Sequence, residues 1–464
     1  MTGAMPHTAS RALEPPTVGT HATWRAPASY LQQQWYEGSR GQASNYNVLT
    51  AWRLNGKLDP AVLHKTMHDL LMRHETLRTC FTGEQGSVEQ QIVHDVAPPV
   101  WQIDLSTSSA PESDFRDLVL SDVARPFVLT EPPLWRAILA RLDTDQHVLG
   151  VVLHHSICDG WSSMVLERDL AGLYRAALTG NAAALPTMPI QFADFAAWER
   201  SFRHQESEQY WRERLSPSPG RDGLWTALGD KPPFDLICRP IPEVPAAVLR
   251  RLTDLARKND STLPTLLYAA ALMTVTPWLG EEVVFGLAHA NRADLDVQPL
   301  VGPVFDYLPV SVDLRDAPSL VPLMSRIRHE ERAARARLLP LGLVTQAVAP
   351  EHAGAPRPVF DLVLNFIPPA RPAGGAARRG PGPVFTRYPV ATDWSRIRVE
   401  RPFSGAQPLS FVLRQDQSHT LGGHLYGHGS ALGWNGLGRL GRHFRDTLVR
   451  LAEDPEHRVA PLEL

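Results

Sequence analysis

His154-His155-Ser156-Ile157-Cys158-Asp159-Gly160 is the stretch whose reading decides this chain. It follows the run Val148-Leu149-Gly150-Val151-Val152-Leu153, short and β-branched, which reads as a buried strand. Beyond it, Leu166, Leu170, Leu173 and Tyr174 recur at i, i+4, i+7 and i+8, one face of a helix. The seven residues are therefore a strand-to-helix turn, where an α/β scaffold presents polar side chains at a rigid edge. Adjacent histidines on extended backbone point to opposite faces, so the pair is a poor chelate and no metal is expected. A single imidazole poised for proton transfer near neutrality is the functional reading. A hydrogen-bonded pair of core histidines is the plainer one, and spacing alone leaves both open. Asp159 can pair with a cation to fix the turn, and Gly160 permits a positive φ or a close backbone approach.

Outward from that turn, 464 residues leave room for about two to three domains. A hydrophobic content of 43% and a charged content of 20% are those of an ordinary globular protein. A formal net charge of −3 gives no reason to expect a nucleic acid or an anionic membrane as partner. Cys80, Cys158 and Cys238 are too few and too scattered for a disulfide framework, which points to reduced thiols in a cytosolic protein. Met1 to Gly19 lacks the basic and apolar regions of a signal peptide. The window Thr262 to Gly280 contains Pro264 and Pro277 and is barely long enough to span a bilayer, so a buried helix is favoured.

Residues 1 to 25, rich in Pro, Thr, Ala and Gly, read as a mobile tail. A polar-aromatic stretch from Ser29 to Tyr36 and Asn45-Tyr46-Asn47 follow, and Val48 to Leu54 reads as the first strand. Asp59-Pro60 is an N-cap with proline at the first helical position, and Leu63, Met67, Leu70 and Leu71 supply that helix's apolar face. Strands are expected at 90–93, 100–105 and 134–141, the last paired through Asp143-Thr144-Asp145 with the strand ending at His154. A linker after Gly180, a short helix over 192–202 and a Pro/Gly-rich passage up to Pro245 separate two halves. The second half alternates again: helices near 246–258, 266–279, 320–338 and 435–453, and strands near 281–286, 301–312, 359–366, 409–414 and 420–426. Residues 367 to 384 read as a mobile Pro/Gly/Ala/Arg loop. Two α/β lobes follow from the alternation.

Two motifs are set aside. Gly436-Leu437-Gly438-Arg439-Leu440-Gly441 spells a dinucleotide fingerprint but lies in the last helix, without chain enough for a βαβ unit. Cys158, three residues from His155, reads as a small apolar turn residue rather than a nucleophile.

With these residues in place, the sequence resembles the condensation domains of non-ribosomal peptide synthetases, relatives of chloramphenicol acetyltransferase and the carnitine acyltransferases. The resemblance rests on His154-His155-x-x-x-Asp159-Gly160 with Trp161-Ser162, and on Arg73-His74-Glu75-x-Leu77-Arg78-Thr79-x-Phe81 upstream. Pro133-Leu134-x-Arg136-Ala137, Phe195-Ala196-x-Trp198 with Tyr210-Trp211, and Val283 to Gly286 agree as well. Val301-Gly302-Pro303 with Leu308-Pro309, and Pro358 to Asp361 with Asn365-Phe366, complete a set covering about residues 26 to 464. The departures are Asp306-Tyr307, where the family usually has Asn-Thr beside the expected channel, and an unrecognisable segment before Val359.

The resemblance implies two acetyltransferase-like lobes in a V, residues 26–185 and 186–464, with a channel between them and His155 at its centre. It implies a free-standing condensation enzyme, since the chain begins and ends where one such domain would. The donor would be an acyl or aminoacyl group on the phosphopantetheine arm of a separate carrier protein, with no cofactor held by the enzyme itself. The acceptor would be a small alcohol or amine; some free-standing members decorate enediyne natural products. His155 would be the base, His154 part of the scaffold, and Asp159 a brace bridged to Arg78, or else to Arg136. Trp161, Ser162, Asp306, Tyr307 and Asn365 would line the channel. Non-catalytic recruitment of a partner enzyme and use of a coenzyme A thioester are the competing readings.

Overall fold

The computed structural model describes residues 22–39, 43–44, 46–215, 236–279, 281–316, 319–348, 359–360, 362–369, 382–390, 409–459 and 462. In chain order the first half holds strands β1 (Ala22–Pro27), β2 (Ala43–Ser44), β3 (Asn47–Asn55), β4 (Thr79–Glu84) and β5 (Ser87–Val93). β6 (Val100–Asp104), β7 (Phe127–Val128), β8 (Trp135–Asp143) and β9 (Gln146–His154) follow. The second half holds β10 (Leu236–Val244), β11 (Glu282–His289), β12 (Asp306–Asp313) and β13 (Leu362–Ile367). It ends with β14 (Val384–Arg387), β15 (Leu409–Gln415) and β16 (Leu421–His428).

β9, the strand that delivers the histidine turn, sits at the centre of a five-stranded sheet ordered β14-β3-β9-β8-β6. Every residue from His147 to His154 is buried, which is why the run has no polar alternation. Leu149, Val151 and Leu153 face the core beneath the helices Pro60–Arg73 and Gly160–Thr179. On the other side the helix Pro111–Val123 lies directly on the strand at Gly150. A Cβ there would stand 2.8 Å from Val119 Cγ1, so glycine is required by the close approach. Asp59 caps the helix Pro60–Arg73 by accepting from Ala61 and Val62 N–H, with Leu63, Met67, Leu70 and Leu71 buried as the periodicity expects.

The second half is built on a six-stranded mixed sheet, β10-β16-β15-β13-β11-β12, in which β11/β13 and β13/β15 are parallel. The helix Leu263–Val275 is apolar around its circumference because it is enclosed on all sides; Leu266, Leu267 and Ala269 to Leu272 are fully buried. Among the described residues no helix is long and apolar enough to cross a membrane.

Several expectations need correction. Residues 22–25 of the expected tail pair with β5 in a three-stranded sheet, β1-β5-β4, while 1–21 lie outside the described residues. The polar-aromatic stretch, to which the sequence pattern assigns no element, is a helix, Tyr30–Ser39, that buries Leu31, Trp35 and Tyr36. The passage before Pro245 contains a helix, Gln205–Arg214, and β10; residues 216–235 lie outside the described residues. The helix Leu341–Val348 was not expected, and most of the 367–384 loop (370–381) lies outside the described residues. The halves also interlock across the 185/186 division. β14 pairs with β3 of the first sheet, and the helix Phe192–Ser201 packs on β1.

Candidate active site

The turn begins where β9 ends. Asn47 is the register partner of His154, and the backbone N–H of His155 donates to the Tyr46 carbonyl at 2.8 Å. A short 3-10 turn over His155–Ile157 then swings the chain into the helix Gly160–Thr179. The two imidazoles separate as the extended backbone requires. His154 is fully buried, and its Nδ1 accepts from the Ser156 N–H at 3.1 Å with the Ser156 hydroxyl 2.7 Å away. Burial, and then the neighbouring His155, push its pKa down to about 3, so it is neutral scaffold.

His155 turns the other way, into a cluster of rings. Tyr46 stacks on it with ring centroids 5.1 Å apart and planes 18° from parallel. Trp35 and Phe305 stand at 5.2 Å, tilted by 34° and 47°. His155 Nδ1 lies 2.8 Å from the Cys158 carbonyl oxygen. A carbonyl can only accept, so Nδ1 carries the proton and Nε2 of the neutral ring keeps its lone pair. Burial pushes the pKa of His155 below the ordinary histidine value, against the opposing pull of its hydrogen bonds and of Asp159. Nε2 is thus a base at neutral pH.

Asp159 is not bridged to Arg78 or to Arg136. Its carboxylate accepts from Arg292 Nη2 at 3.1 and 2.9 Å, from Ser162 N–H at 2.7 Å and from Val304 N–H at 3.2 Å. It also caps the helix in a reciprocal box with Ser162. Arg78 is committed to the carbonyls of Leu71 and Val93, because its side chain points back under its own helix-strand corner. Arg136 is held by the Asp122 carboxylate and lies over the Phe127 ring. An acid engaged so fully in the brace is not the group that orients the imidazole; the Cys158 carbonyl takes the Nδ1 proton instead.

Arg292 is one of the residues that sequence reasoning missed. It also donates to the carbonyls of Val297, Leu300 and Gly302, gathering residues 292–302 of the second half against the helix of the first. Ser162 is fully buried and accepts from Gly302 N–H at 3.1 Å, so it belongs to this brace. Trp161 donates from Nε1 to the Gln298 carbonyl. Gly160 has no positive φ and nothing within 4 Å of a built Cβ; neither reason expected for that glycine applies. The Arg73–Phe81 stretch serves the same seam. Thr76 Oγ1 donates to the Val301 carbonyl at 2.7 Å, and Arg73 and His74 bind the buried Asp169 carboxylate.

Of the two departures at 306–307, Asp306 is buried and engaged by backbone amides. Its carboxylate accepts from its neighbour Tyr307 N–H at 2.8 Å and from Leu341 N–H at 2.9 Å, capping the helix Leu341–Val348. Burial pushes its pKa up to about 7, against the pull of those amides. Tyr307 meets Phe305 edge-on at 5.6 Å, and Phe305 is the ring that touches His155. Asn365 is partly buried on β13, in the middle of the second sheet. The signal that could have found Trp35, Tyr46 and Phe305 was aromatic density near the N-terminus and after Gly302-Pro303, which periodicity does not interpret. Cys158 is buried, with its thiol pKa pushed well up by burial, so it is no nucleophile.

The family model described as "Condensation domain" matches residues 25–370. Phosphinothricin tripeptide synthetase PhsC of Streptomyces viridochromogenes is 33% identical over 341 residues, 69% of this chain and 30% of that protein. A linear gramicidin synthase of Brevibacillus parabrevis is 27% identical over 458 residues, 94% of this chain and 8% of that protein. The chain therefore spans less than a third of either relative's length. Among solved structures, the X-domain from teicoplanin biosynthesis is 25% identical with a TM-score of 0.77, covering 96% of this chain and 99% of that chain. SgcC5 from Streptomyces globisporus, 21% identical, has the same fold with a TM-score of 0.74 over 94% of this chain and 100% of that chain.

Proposed function

The chain belongs to the condensation-domain family, whose members form amide or ester bonds by acyl transfer, and from that premise we propose its reaction. It moves an acyl or aminoacyl group from the phosphopantetheine thioester of a carrier protein to a small alcohol or amine. The two interlocked halves are the acetyltransferase-like lobes, and the substrates meet between them at His155. The phosphopantetheine arm is part of the donor substrate, and the enzyme itself needs no cofactor. The observation that carries this reading is the Nδ1–H hydrogen bond to Cys158, which leaves Nε2 as the acceptor of a proton.

As the acceptor oxygen or nitrogen attacks the thioester carbonyl carbon, its proton passes to His155 Nε2. The C–S bond then breaks, and the proton on Nε2 goes to the departing thiolate. Gly160 and Trp161 amides, in the first turn of their helix, are the donors we assign to the developing oxyanion. Positioned proton transfer contributes about 10²–10⁴-fold. Holding two substrates in line contributes on the order of 7–11 kcal/mol, so the paths to His155 matter at least as much as its basicity.

A mass-spectrometric assay with a carrier-loaded donor and a panel of alcohols and amines tests the proposal, with a matched coenzyme A thioester in competition. Product from the carrier-bound donor, lost in folded His155→Ala, is expected. Near-normal turnover by that variant sinks the mechanism, and preference for the coenzyme A donor removes the carrier. Recruitment of a partner enzyme is the second reading. It is favoured by likeness to the X-domain solved in complex with OxyB, a structure 26% identical to this chain. A chain that binds carrier protein yet gives no product with any acceptor would support it.

A further inference from the structure

We infer that Tyr46 is the positioning residue of the His155 imidazole, which it holds by ring and by backbone together. This inference rests on the proposed role of Nε2 as the base. A histidine χ2 torsion is broad, so the bond from Nδ1 to the Cys158 carbonyl fixes one edge of the ring but still allows it to rock. Of the three neighbouring rings only Tyr46 lies face to face with the imidazole; Trp35 and Phe305 are tilted and bound its movement from other sides. The Tyr46 carbonyl meanwhile accepts the His155 backbone N–H at 2.8 Å.

The position of Tyr46 is set by the fold and needs no substrate. Its neighbour Asn47 is buried, opens β3 opposite His154, and donates from Nδ2 to the carbonyls of Val123 and Arg125, both at 2.8 Å. The same ring covers one face of the imidazole, and burial is the largest cause of the lowered His155 pKa. Among the described residues, the titratable groups around the imidazole are His154 and Cys158 on its own turn, Asp159 at the head of the helix, Tyr46 opposite, and Tyr307 beyond Phe305. Burial pushes the Tyr46 phenol up to about 12, so it brings no charge to the site at neutral pH.

The test compares Tyr46→Leu, Tyr46→Met and Tyr46→Phe in the full chain, with thermal unfolding as the check on folding. First, the His155 ring is titrated by NMR in substrate-free protein. The Leu and Met variants should titrate closer to the ordinary histidine value, because water reaches the ring, and the Phe variant should return to the wild-type position. Second, kcat should fall about 10- to 100-fold in Tyr46→Leu with KM little changed. The acidic limb of the kcat/KM profile should move to higher pH, and Tyr46→Phe should restore both. A folded Leu or Met variant with wild-type titration and wild-type kcat overturns the inference. If His155→Ala is inactive while the Tyr46 variants behave as wild type, this inference alone fails. If His155→Ala keeps its turnover, the proposed function fails, and the NMR titration still decides whether Tyr46 sets the state of the ring.

Discussion

Arg292 Nη2 reaches both carboxylate oxygens of Asp159, at 3.1 and 2.9 Å, across 133 residues of sequence and across the seam between the two halves. Both side chains are almost completely removed from water. A buried carboxylate with one guanidinium partner, two backbone amides and a hydroxyl is fully satisfied, and such an ion pair is costly to break by removing one side.

Arg292→Met should therefore destabilise the chain by about 3–5 kcal/mol and lower soluble yield. A double-mutant cycle with Asp159→Asn should show coupling of about 0.5–3 kcal/mol, because each replacement removes the same pair. The matching cycle of Asp159→Asn with Arg78→Met should be close to additive, since Arg78 is bonded to the Leu71 and Val93 carbonyls instead. Thermal unfolding of the six proteins measures both cycles; coupling to Arg78 as strong as to Arg292 would contradict the brace.

The Glu199 carboxylate accepts from Tyr30 N–H at 2.8 Å, and burial followed by the charge of Asp306 pushes its pKa up to about 8. With Asp306 at about 7, two buried carboxyls have folded pKa values above their unfolded ones. Each therefore favours folding at pH values below the unfolded pKa, and that contribution is lost as pH rises through the folded pKa. Stability should fall between about pH 4 and 8, by up to about 1.4 kcal/mol per pH unit for each group that is ionised in the unfolded chain and still protonated in the folded one, and level off above that range. Glu199→Gln keeps an acceptor for Tyr30 N–H and removes one charge, so its melting temperature should fall less over this range. Parallel wild-type and variant melting curves against pH would rule this out.

His154 works in the opposite sense. Its folded pKa of about 3 lies below the ordinary histidine value of 6.5. Its contribution is complete above that ordinary value and is lost as pH falls towards the folded one, because the unfolded chain takes up the proton first. The acid limb of stability between about pH 6.5 and 4 should flatten in His154→Asn, whose side-chain carbonyl can still accept from Ser156 N–H. Differential scanning calorimetry across that range is the measurement, and an unchanged slope counts against a buried neutral His154.

Gly302 has φ +151°, and a Cβ on it would stand 2.1 Å from Phe192 Cδ2. Gly302→Ala must push back the helix Phe192–Ser201 or the loop that feeds the Asp159 brace. Overpacking of this kind costs about 1–3 kcal/mol, with backbone strain in addition. A drop in melting temperature accompanied by lower turnover is expected; a variant as stable as wild type would show that the seam is looser than these contacts imply.

The sequence by itself determined the local framework. An unbroken β-branched run dictated the buried strand β9. The i, i+4 spacing of Leu166 and Leu170 dictated the helix after it, and Asp59-Pro60 marked a helix start, because each signal lies within a few residues of what it specifies. The opposite faces of His154 and His155 followed from extended backbone alone. Tertiary structure decided the partners. Nothing in residues 154–162 indicates that the cation for Asp159 comes from position 292 rather than 78, since both arginines are available and only packing of the second half against the first selects one. Likewise β14 joins the first sheet from residue 384, and the Asp306 carboxylate accepts from Leu341 N–H at the start of the helix Leu341–Val348. Ring contacts from Trp35, Tyr46 and Phe305 converge on His155 from three separate segments, and such convergence has no period to read. What was legible about His155 was that it could be a base; the Cys158 carbonyl and the Tyr46 ring decide which nitrogen it uses and how firmly it is held.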